Sequence, residues 1–323
     1  MEKAEFSIEN ITPLHISSGN IAKPIEYFYE DGFIHVCDFN KIIDFIFKKE
    51  ENIENVSRKI IDVIKRNGLL EDILKEINLY DRRKEFVVYK IKGPPEKTQI
   101  KLFMRHGKNL YIPGSSIKGA IRTSILFEKL KDSKNYLLNF SEKDFNNYSE
   151  KYNFSVSDIE GNFQSELLRI NRLGMQQNKA SKLDSAEFIN IRQDHKIKCS
   201  IVAVKNLTIK EIINFTNQFY YQSLKRIIDM DSLKKYPKVI ENLKIIMDII
   251  KNREKDEMIL QLGFGGNYFT KSFGSLLVEI YNDKNLYALR KSRKISKPFG
   301  IFPKTFTTVN DTQPGWIKMK MIG

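Results

Sequence analysis

Short segments in which apolar and polar residues alternate recur along the chain and predict β-strands. Asp31-Gly32 is a favourable pair for a tight turn, so the pattern around it predicts a hairpin. The last segment alternates apolar residues with lysines, which is typical of a strand at the edge of a sheet. The predicted strands and hairpins are Ala4–Ile11, Tyr27–Cys37, Phe86–Ile91, Ile100–Met104 with Leu110–Ile112, Ile197–Val204, Leu276–Ile280 and Trp316–Met321.

Apolar residues spaced three and four positions apart predict amphipathic helices. Asp38 has a side chain suited to cap the first of them, and Gly68 separates the second from the third. The predicted helices are Phe39–Lys49, Ile53–Arg66, Leu69–Leu79, Ser116–Lys131, Thr208–Met230 and Pro237–Lys255. Residues 132–185 are polar and poorly periodic, so we expect an insertion that becomes ordered only with a partner.

The order of these elements bounds the fold class. Strands and helices are mixed without the regular βαβ alternation that a doubly wound parallel sheet requires. The sequence therefore predicts an α+β fold, in which an antiparallel sheet carries helices on one face and is extended by helical insertions. With 323 residues, of which 41% are hydrophobic, the chain suffices for one large domain or two ordinary ones.

Positive charge dominates the composition and is concentrated toward the end of the chain. The formal net charge is +14, and from Lys284 onward nine basic residues stand against a single acid, Asp311. This distribution favours a polyanion partner such as nucleic acid, although a lysine-rich composition alone would account for scattered lysines.

The same composition indicates where the protein works. The longest uncharged stretches fall short of the roughly 18 apolar residues that cross a bilayer, and the first residues lack the apolar core of a secretion signal. The two cysteines, Cys37 and Cys199, are too few and too far apart for a disulfide framework or a zinc site. We therefore expect a cytoplasmic protein without membrane association, in which both thiols are buried.

The strongest local motif is the segment Ile112–Arg122, in which a Pro-Gly pair ends a strand and a helix begins at once. Free backbone N–H groups and the helix dipole then point at one spot that suits a phosphate. Lys118 and Arg122 share a helix face, and Gly119 allows close approach. An ordinary capped amphipathic helix explains the pattern equally well. The candidate phosphate-binding residues are Gly114, Ser115, Ser116, Lys118, Gly119 and Arg122.

A second motif is the glycine-rich segment Leu262–Gly274. Its glycines permit positive φ and expose backbone amides, and a lysine among aromatic residues can hold phosphate beside stacked bases. The third glycine of a dinucleotide-binding fingerprint is missing, and a glycine-rich turn by itself is more often structural than functional. The candidates here are Gly263, Gly265, Gly266 and Lys271.

Three further segments of the sequence contribute to the same interpretation as these two motifs. Thr12–Gly19 follows the first predicted strand, Ser155–Asp158 lies mid-chain, and Pro303–Thr305 is followed by Pro314-Gly315-Trp316. Together the motifs resemble the RAMP superfamily of CRISPR-associated RNA-binding proteins over nearly the whole chain. The ending is similar to that of the fifth Csm subunit of type III-A effector complexes. From the first of these segments the candidates are His15, Ser17, Ser18 and Gly19. For His15, packing of the loop is the alternative to a contact with the RNA backbone.

The resemblance implies an RRM-like (ferredoxin-like) antiparallel core present twice. The first unit would span residues 1–205, with insertions at about 51–80 and 132–185, and the second residues 206–323, with the helical pair and the glycine-rich loop. It also implies a subunit that caps the 3′ portion of the CRISPR RNA (crRNA) and contacts target RNA. Its protein partners would be a neighbouring backbone RAMP subunit, a small helical subunit and recruited host nucleases.

The candidate residues favour a non-catalytic RNA-binding role. We expect them to converge on one basic groove that holds the RNA backbone regardless of base sequence. The target-cleaving RAMP subunit has an Asp where this chain has Ala22, and no acid lies between Glu9 and Glu26, so the loop lacks a carboxylate for cleavage. The sequence implies no metal or cofactor, because the other histidines show no metal-ligand spacing.

Two alternatives remain at this point. His15 as a general base would support a metal-independent endoribonuclease that processes CRISPR transcripts. A purely structural interaction module would instead use the helices around Phe215–Ile228 and Ile240–Ile250.

Overall fold

The computed structural model describes residues 1–49, 53–131, 151–174, 180–191, 197–272 and 305–322. The predicted strand Leu276–Ile280 and the basic residues from Lys284 to Lys304 lie outside these described residues. None of the helices in the described part of the chain has the length and apolar character needed to span a bilayer.

The described helices lie close to the predicted ones. Three short 3-10 helices, at Pro24–Glu26, Tyr80–Phe86 and Asp231–Leu233, supplement them. In chain order the α-helices are α1 (Phe39–Lys49), α2 (Ile53–Lys65), α3 (Leu70–Glu76), α4 (Gly114–Leu130), α5 (Ile209–Ile228), α6 (Pro237–Lys251) and α7 (Tyr268–Lys271).

The described strands form two large sheets and one small one. In chain order they are β1 (Glu2–Asn10), β2 (Ser17–Ala22), β3 (Tyr27–Glu30), β4 (Phe33–Cys37), β5 (Val87–Lys92), β6 (Ile100–Phe103), β7 (Arg105–His106), β8 (Asn109–Ile112), β9 (Asn153–Val156), β10 (Ile159–Glu160), β11 (Gln164–Gly174), β12 (Ala180–Asn190), β13 (Lys198–Lys205), β14 (Glu257–Gln261), β15 (Thr305–Thr308) and β16 (Trp316–Met321).

The first large sheet has the order β14-β16-β1-β13-β9, and every neighbouring pair is antiparallel. Helices α4 and α5 pack against each other and against this sheet. When only α4, α5 and the strands of this sheet other than β14 are considered, the chain order is β1-α4-β9-β13-α5-β16. This is a β-α-β-β-α-β order in which the first and third strands are central. This is the strand order of a ferredoxin-like unit, and the predicted α+β class is confirmed.

Two predictions about the C-terminal segment are corrected by this sheet. Strand β16 lies between β14 and β1 rather than at an edge, and its Trp316, Ile317 and Met319 are fully buried. The lysines between them are held on the sheet, Lys318 by Glu9 and Lys320 by Glu254, so they add no free charge for RNA. Strands from both sides of residue 205 share this sheet, and the division into units 1–205 and 206–323 stays a prediction.

The second large sheet is mixed, with the order β2-β6-β12-β11-β5-β4-β3 and β15 paired with β11. The pairs β5–β11 and β6–β12 are parallel, which departs from the purely antiparallel sheet that the sequence predicts. Its long β11–β12 hairpin begins within the predicted insertion 132–185. The buried Leu167, Ile170 and Leu173 are three residues apart along β11, which also has a shift in register between Arg169 and Asn171, and this spacing hides the alternation of a strand.

Helices α1, α2 and α3 form a small apolar cluster of their own on the second sheet. The cluster packs against Phe28, Cys37 and Phe86, so the predicted helical insertion near 51–80 is confirmed as a helical element. Asp38 accepts hydrogen bonds from the first turn of α1, at the backbone N–H groups of Asn40 and Lys41. Its predicted role as a cap is therefore confirmed.

Candidate nucleic-acid interface

Three loops that are far apart in the sequence meet at the end of the first sheet. The Phe264 N–H donates to the His15 carbonyl (2.7 Å), the Leu262 N–H to the Gly315 carbonyl (2.8 Å), and the Gly315 N–H to the Pro13 carbonyl (2.9 Å). The meeting place, here called the three-loop cluster, consists of residues 12–16, 262–267 and 313–316. The structure thus joins the Thr12–Gly19 segment, the glycine-rich segment and the Pro314-Gly315-Trp316 segment in one contact.

The glycines of this cluster serve close backbone contacts within the chain. A Cβ on Gly263 (φ +62°) would lie 2.0 Å from the His15 carbonyl oxygen, and one on Gly315 (φ +95°) would lie 2.1 Å from that of Leu262. Gly265 faces Pro314 in the same way, because a Cβ placed on it would lie 2.4 Å from the proline Cγ. These positions favour the structural interpretation of the glycine-rich loop, because contacts within the protein already require glycine there.

His15 stands at the centre of the cluster and is completely buried. Its ring contacts Phe103, Phe188 and Phe264, and its Nδ1 lies 2.6 Å from the carbonyl oxygen of Glu187. The carbonyl can only accept, so Nδ1 carries the proton, while the buried Nε2 has no hydrogen-bond partner among the described residues. The enclosed ring offers no surface to a ligand, so of the two roles predicted for His15 the contacts favour loop packing over a direct contact with RNA.

The environment of His15 makes the stability of the protein depend on pH. Burial, with a smaller contribution from the positive charge of Lys101, lowers the pKa of His15. At pH values between this lowered pKa and the ordinary value of about 6.5, the unfolded chain binds more protons than the folded protein. The contribution of His15 to the free energy of unfolding is therefore fully present above the ordinary pKa and is lost as the pH falls below it.

We expect the free energy of unfolding to fall between pH 7.5 and 5.5, and to fall less steeply in a His15→Phe variant, which cannot titrate at this position. His35, whose pKa is also lowered mainly by burial, contributes equally to both proteins. Urea unfolding at a series of pH values measures this slope. Equal slopes for the two proteins would show that His15 is not held neutral by the fold.

Ser17, Ser18 and Gly19 begin strand β2, which lies at the edge of the second sheet. The Ser18 hydroxyl donates to the Leu102 carbonyl (3.2 Å), and the Ser17 hydroxyl accepts from the Gly19 N–H (3.1 Å). Gly19 has a φ of +82° with no atom within 4 Å of a Cβ placed on it. These residues therefore lie at the surface, where a ligand can approach them.

The start of helix α4 is already capped by a carboxylate of the same chain. The Gly114 N–H donates to Oδ1 of Asp158 (2.6 Å), and a Cβ on Gly114 would lie 2.3 Å from the Val156 carbonyl oxygen. A phosphate at this N–H would have to displace Asp158, and the two anions would repel each other. The predicted phosphate contact at Gly114 is therefore corrected, whereas Ser115 is exposed and Ser116 half-buried.

One turn further along, the surface of α4 is open. Gly119 is exposed, and nothing lies within 4 Å of a Cβ placed on it. A glycine inside a helix costs about 1 kcal/mol relative to alanine, and no contact within the described structure requires it. Lys118 and Arg122 flank it, both half-buried, and the Lys118 ammonium lies 5.7 Å from the centre of the Phe154 ring.

Lys271 in α7 has an exposed side chain whose stem lies over Gly266, where a Cβ would be 2.3 Å from the lysine Cε. Burial of part of this stem lowers the pKa of Lys271. None of the described carboxylates pairs with its ammonium group, which suits an external anion. Gly266 therefore makes room for a cation rather than for RNA.

The three-loop cluster and the start of α4 are connected through the strands β6 and β8. The Met104 N–H donates to the Ile16 carbonyl, and the Tyr111 N–H donates to the Met104 carbonyl. Tyr111 lies three residues before Gly114, the first residue of α4, so two hydrogen-bonded steps and a short segment of chain link the two regions. The structure thus connects the predicted stretches without stacking them on a single point.

Two buried side chains that organise the cluster were missed by the sequence interpretation. The Gln313 amide donates to the Gly265 carbonyl (3.0 Å) and accepts from the Trp316 indole (3.2 Å). Glu187 binds Arg105, accepts from the Phe103 N–H and presents its own carbonyl to His15. Glu187 is a single polar residue in a strand and Gln313 a single polar residue in a loop, and neither pattern carries a sequence signal for such a role.

Comparison with known sequences places the chain in a family. The family model described as the RAMP superfamily matches residues 7–269, which is most of the chain. A curated relative from Methanocaldococcus jannaschii, named CRISPR system Cms protein Csm5, is 29% identical over 90% of this chain and 77% of its own length. A protein of the same name from Enterococcus italicus is 29% identical over 34% of this chain and 39% of its own.

Solved structures show the same fold. A chain in the cryo-EM structure of a Csm-crRNA-target RNA ternary complex of a type III-A CRISPR-Cas system aligns with a TM-score of 0.71 at 17% identity, covering 99% of this chain and 100% of that one. The crystal structure of T. onnurineus Csm5 aligns with a TM-score of 0.61 at 15% identity, covering 98% and 100%. The family match, supported by this fold, shows that the chain belongs to the RAMP superfamily.

Proposed function

We propose that this chain is a non-catalytic RNA-binding subunit of a type III-A CRISPR interference complex in the cytoplasm. In this role it binds the 3′ portion of the crRNA, lies beside a backbone RAMP subunit and a small helical subunit near the target RNA, and supports crRNA maturation by recruited nucleases. The relatives named Csm5 and the fold shared with a chain of a Csm-crRNA-target RNA complex support this role.

The open surface of α4 is the observation that carries the proposal. Gly119 is exposed, and no described atom lies within 4 Å of a Cβ placed on it, so the helix surface is open there. Lys118 and Arg122 lie on either side of it and carry positive charge. A ribose-phosphate chain fits such a surface, because it needs close approach and cations but no groups that recognise bases. The spacer part of a crRNA differs from one guide to another, so binding has to be independent of sequence.

The surroundings of His15 support the non-catalytic role over the endoribonuclease. A general base has to come within hydrogen-bond reach of the proton that it removes. His15 is enclosed by three aromatic rings, and its Nδ1 is engaged with the Glu187 carbonyl. His15 is the one residue on which the endoribonuclease alternative depends, and it therefore lacks the exposure that a general base needs.

Charge reversal on the proposed surface tests the function. We expect a Lys118→Glu/Lys271→Glu variant to bind single-stranded RNAs of unrelated sequence about tenfold more weakly or worse. The slope of log affinity against log salt should become shallower by about 1.4, which corresponds to two lost phosphate contacts. Fluorescence anisotropy at several salt concentrations measures both quantities. Lys244→Glu/Lys251→Glu on the exposed side of α6 is the matched control with the same change in charge.

Two results would contradict the proposal. Unchanged affinity in the charge-reversal variant, or no RNA binding at low salt, would favour a purely structural interaction module. Cleavage of precursor RNA at a fixed site in EDTA, abolished by His15→Phe, would favour the endoribonuclease. Co-purification of the tagged chain with its complex, followed by sizing of the bound RNA, checks the link to the 3′ portion of the crRNA.

A further inference from the structure

A groove on the second sheet carries positive charge and aromatic rings together and has no part in the interface described above. It runs between the β4–β5 strands, the β7–β8 hairpin and the segment before β11, and its volume is about 570 Å³. This is within the size range of sites that hold small ligands. Its lining includes Lys90, Lys92, Lys108, Phe33, Tyr89 and Phe163, and we call it the lysine groove.

The charge of the lysine groove is not neutralised by the protein around it. Among the described residues, no carboxylate pairs with Lys90, Lys92 or Lys108. Arg105 also lines the groove, but Glu187 takes up its charge. Glu166 lies opposite Lys92 in the strand register and accepts a hydrogen bond from Asn190. Three ammonium groups therefore remain for an anion that comes from outside.

Strand register places the key side chains on one face. Phe33 is directly opposite Lys92 in the antiparallel β4–β5 pair, and Lys90 lies two residues from Lys92 along the same strand. Side chains directly opposite each other in such a pair share a face, with Cβ atoms about 5 Å apart. An aromatic ring and two cations are thus presented side by side.

The apolar part of the groove is exposed to water. Phe33 has 38% of its surface exposed, although it is a large apolar side chain. Tyr89 points to the other face of β5, where the Arg105 guanidinium covers its ring at 3.7 Å from the ring centre, so Phe33 is the ring that is presented beside Lys90 and Lys92. The side-chain amides of Asn109, Asn162 and Gln164 line the same space and can both donate and accept hydrogen bonds. Ring, amide and ammonium groups together match the base and the phosphate of a nucleotide.

We propose that the lysine groove binds an unpaired nucleotide, with its base stacked on Phe33 and its phosphate held by Lys90 and Lys92. Single-stranded RNA is the source of this nucleotide, and this part of the inference rests on the proposed function. The groove is a second RNA site, separate from the surface of α4, and it is tolerant of sequence because every base has a face that can stack.

A charge-reversal variant of the groove provides the test. We expect Lys90→Glu/Lys92→Glu in the full chain to bind a labelled octauridylate at least tenfold more weakly, while the control Lys244→Glu/Lys251→Glu changes affinity by less than about twofold. Phe33→Ala keeps the charge and should weaken binding by about tenfold through lost stacking. With a 4-thiouridine octamer, photo-crosslinks should map to peptides containing Phe33 or Phe163. Thermal melting confirms that each variant is folded.

Uridine monophosphate distinguishes the two sources of the ligand. If uridine monophosphate fails to compete with the octamer, the ligand of the groove is single-stranded RNA. If it competes and its binding requires Lys90 and Lys92, the groove is a nucleotide site whose ligand is a free nucleotide. Unchanged octamer affinity in both groove variants, with crosslinks elsewhere, would overturn the proposal. If RNA affinity falls in the groove variants but not in Lys118→Glu/Lys271→Glu, the proposed α4 surface is refuted and the lysine groove stands. If affinity falls only in Lys118→Glu/Lys271→Glu, the lysine groove is refuted and the α4 surface stands.

Discussion

Replacing Gly263 with alanine should lower the free energy of unfolding by about 2–5 kcal/mol. The new Cβ would lie 2.0 Å from the His15 carbonyl oxygen, at a backbone φ of +62°. The left-handed conformation alone costs a residue with a Cβ about 1–2 kcal/mol, and forced separation of two packed loops adds about 1–3 kcal/mol. The hydrogen bond from the Phe264 N–H to the same carbonyl would be strained as well.

Gly107 offers a matched control for this substitution. It has the same φ of +62°, but nothing lies within 4 Å of a Cβ placed on it. Gly107→Ala should therefore cost only the conformational term of about 1–2 kcal/mol. Urea unfolding of both variants measures the difference, which is the contribution of the contact with His15. Equal losses would mean that the three loops do not depend on this close approach.

Replacing Arg105 with methionine is expected to destabilise the protein by about 3–5 kcal/mol. The Glu187 side chain is fully buried, and the paired Arg105 side chain is only 11% exposed. Without Arg105 the carboxylate would keep its hydrogen bond from the Phe103 N–H but would lose its countercharge in a place that water does not reach. Unfolding in urea at pH 7.5 measures the loss.

The pH dependence of the Arg105→Met variant identifies the cause of its instability. Burial raises the pKa of Glu187, and Arg105 opposes this rise. Without the arginine, the pKa of Glu187 in the folded protein rises further above its pKa in the unfolded chain. The contribution of Glu187 to the stability of the variant is therefore present below the unfolded-state pKa and is lost as the pH rises through the folded-state pKa. The deficit relative to the original protein should shrink from pH 7.5 to pH 5.5.

A double variant completes this test. In Arg105→Met/Glu187→Gln no charge is buried, so part of the lost stability should return, and the pH dependence of the deficit should disappear. A deficit in Arg105→Met that does not change with pH, together with no recovery in the double variant, would show that the packing of the arginine stem matters more than the charge pair.

Local patterns in the sequence identify most of the elements but not how they are arranged. The hairpin at Asp31-Gly32 is confirmed, with φ of 51° and 82° at its two turn residues, because a two-residue turn depends only on its own conformation. Strand β14 was missed, since all five of its residues are buried and show no alternation. Strand β16 was recognised, but its position between two strands depends on pairing partners that a pattern does not reveal.

The candidate site was predictable to a similar extent. That the glycine-rich loop lies against His15 could be expected from the motifs, but the reason, a close contact between backbones, was visible only in three dimensions. Asp158 was noticed as part of a motif, yet its place at the start of α4 follows from the small β8–β10 sheet. The lysine groove was missed because its cations come from strands and a hairpin that the sequence separates.

The pairing of β1 with both β13 and β16 has a consequence for folding. Phe6 is matched with Cys199 on one side and with Met321 on the other, so the central strand pairs with segments that lie 193 and 315 positions away along the chain. Contacts between such distant segments form slowly, because a long stretch of chain has to close into a loop before they are made. We therefore expect both edges of β1 to be exposed in folding intermediates, where they can pair with other chains and promote aggregation.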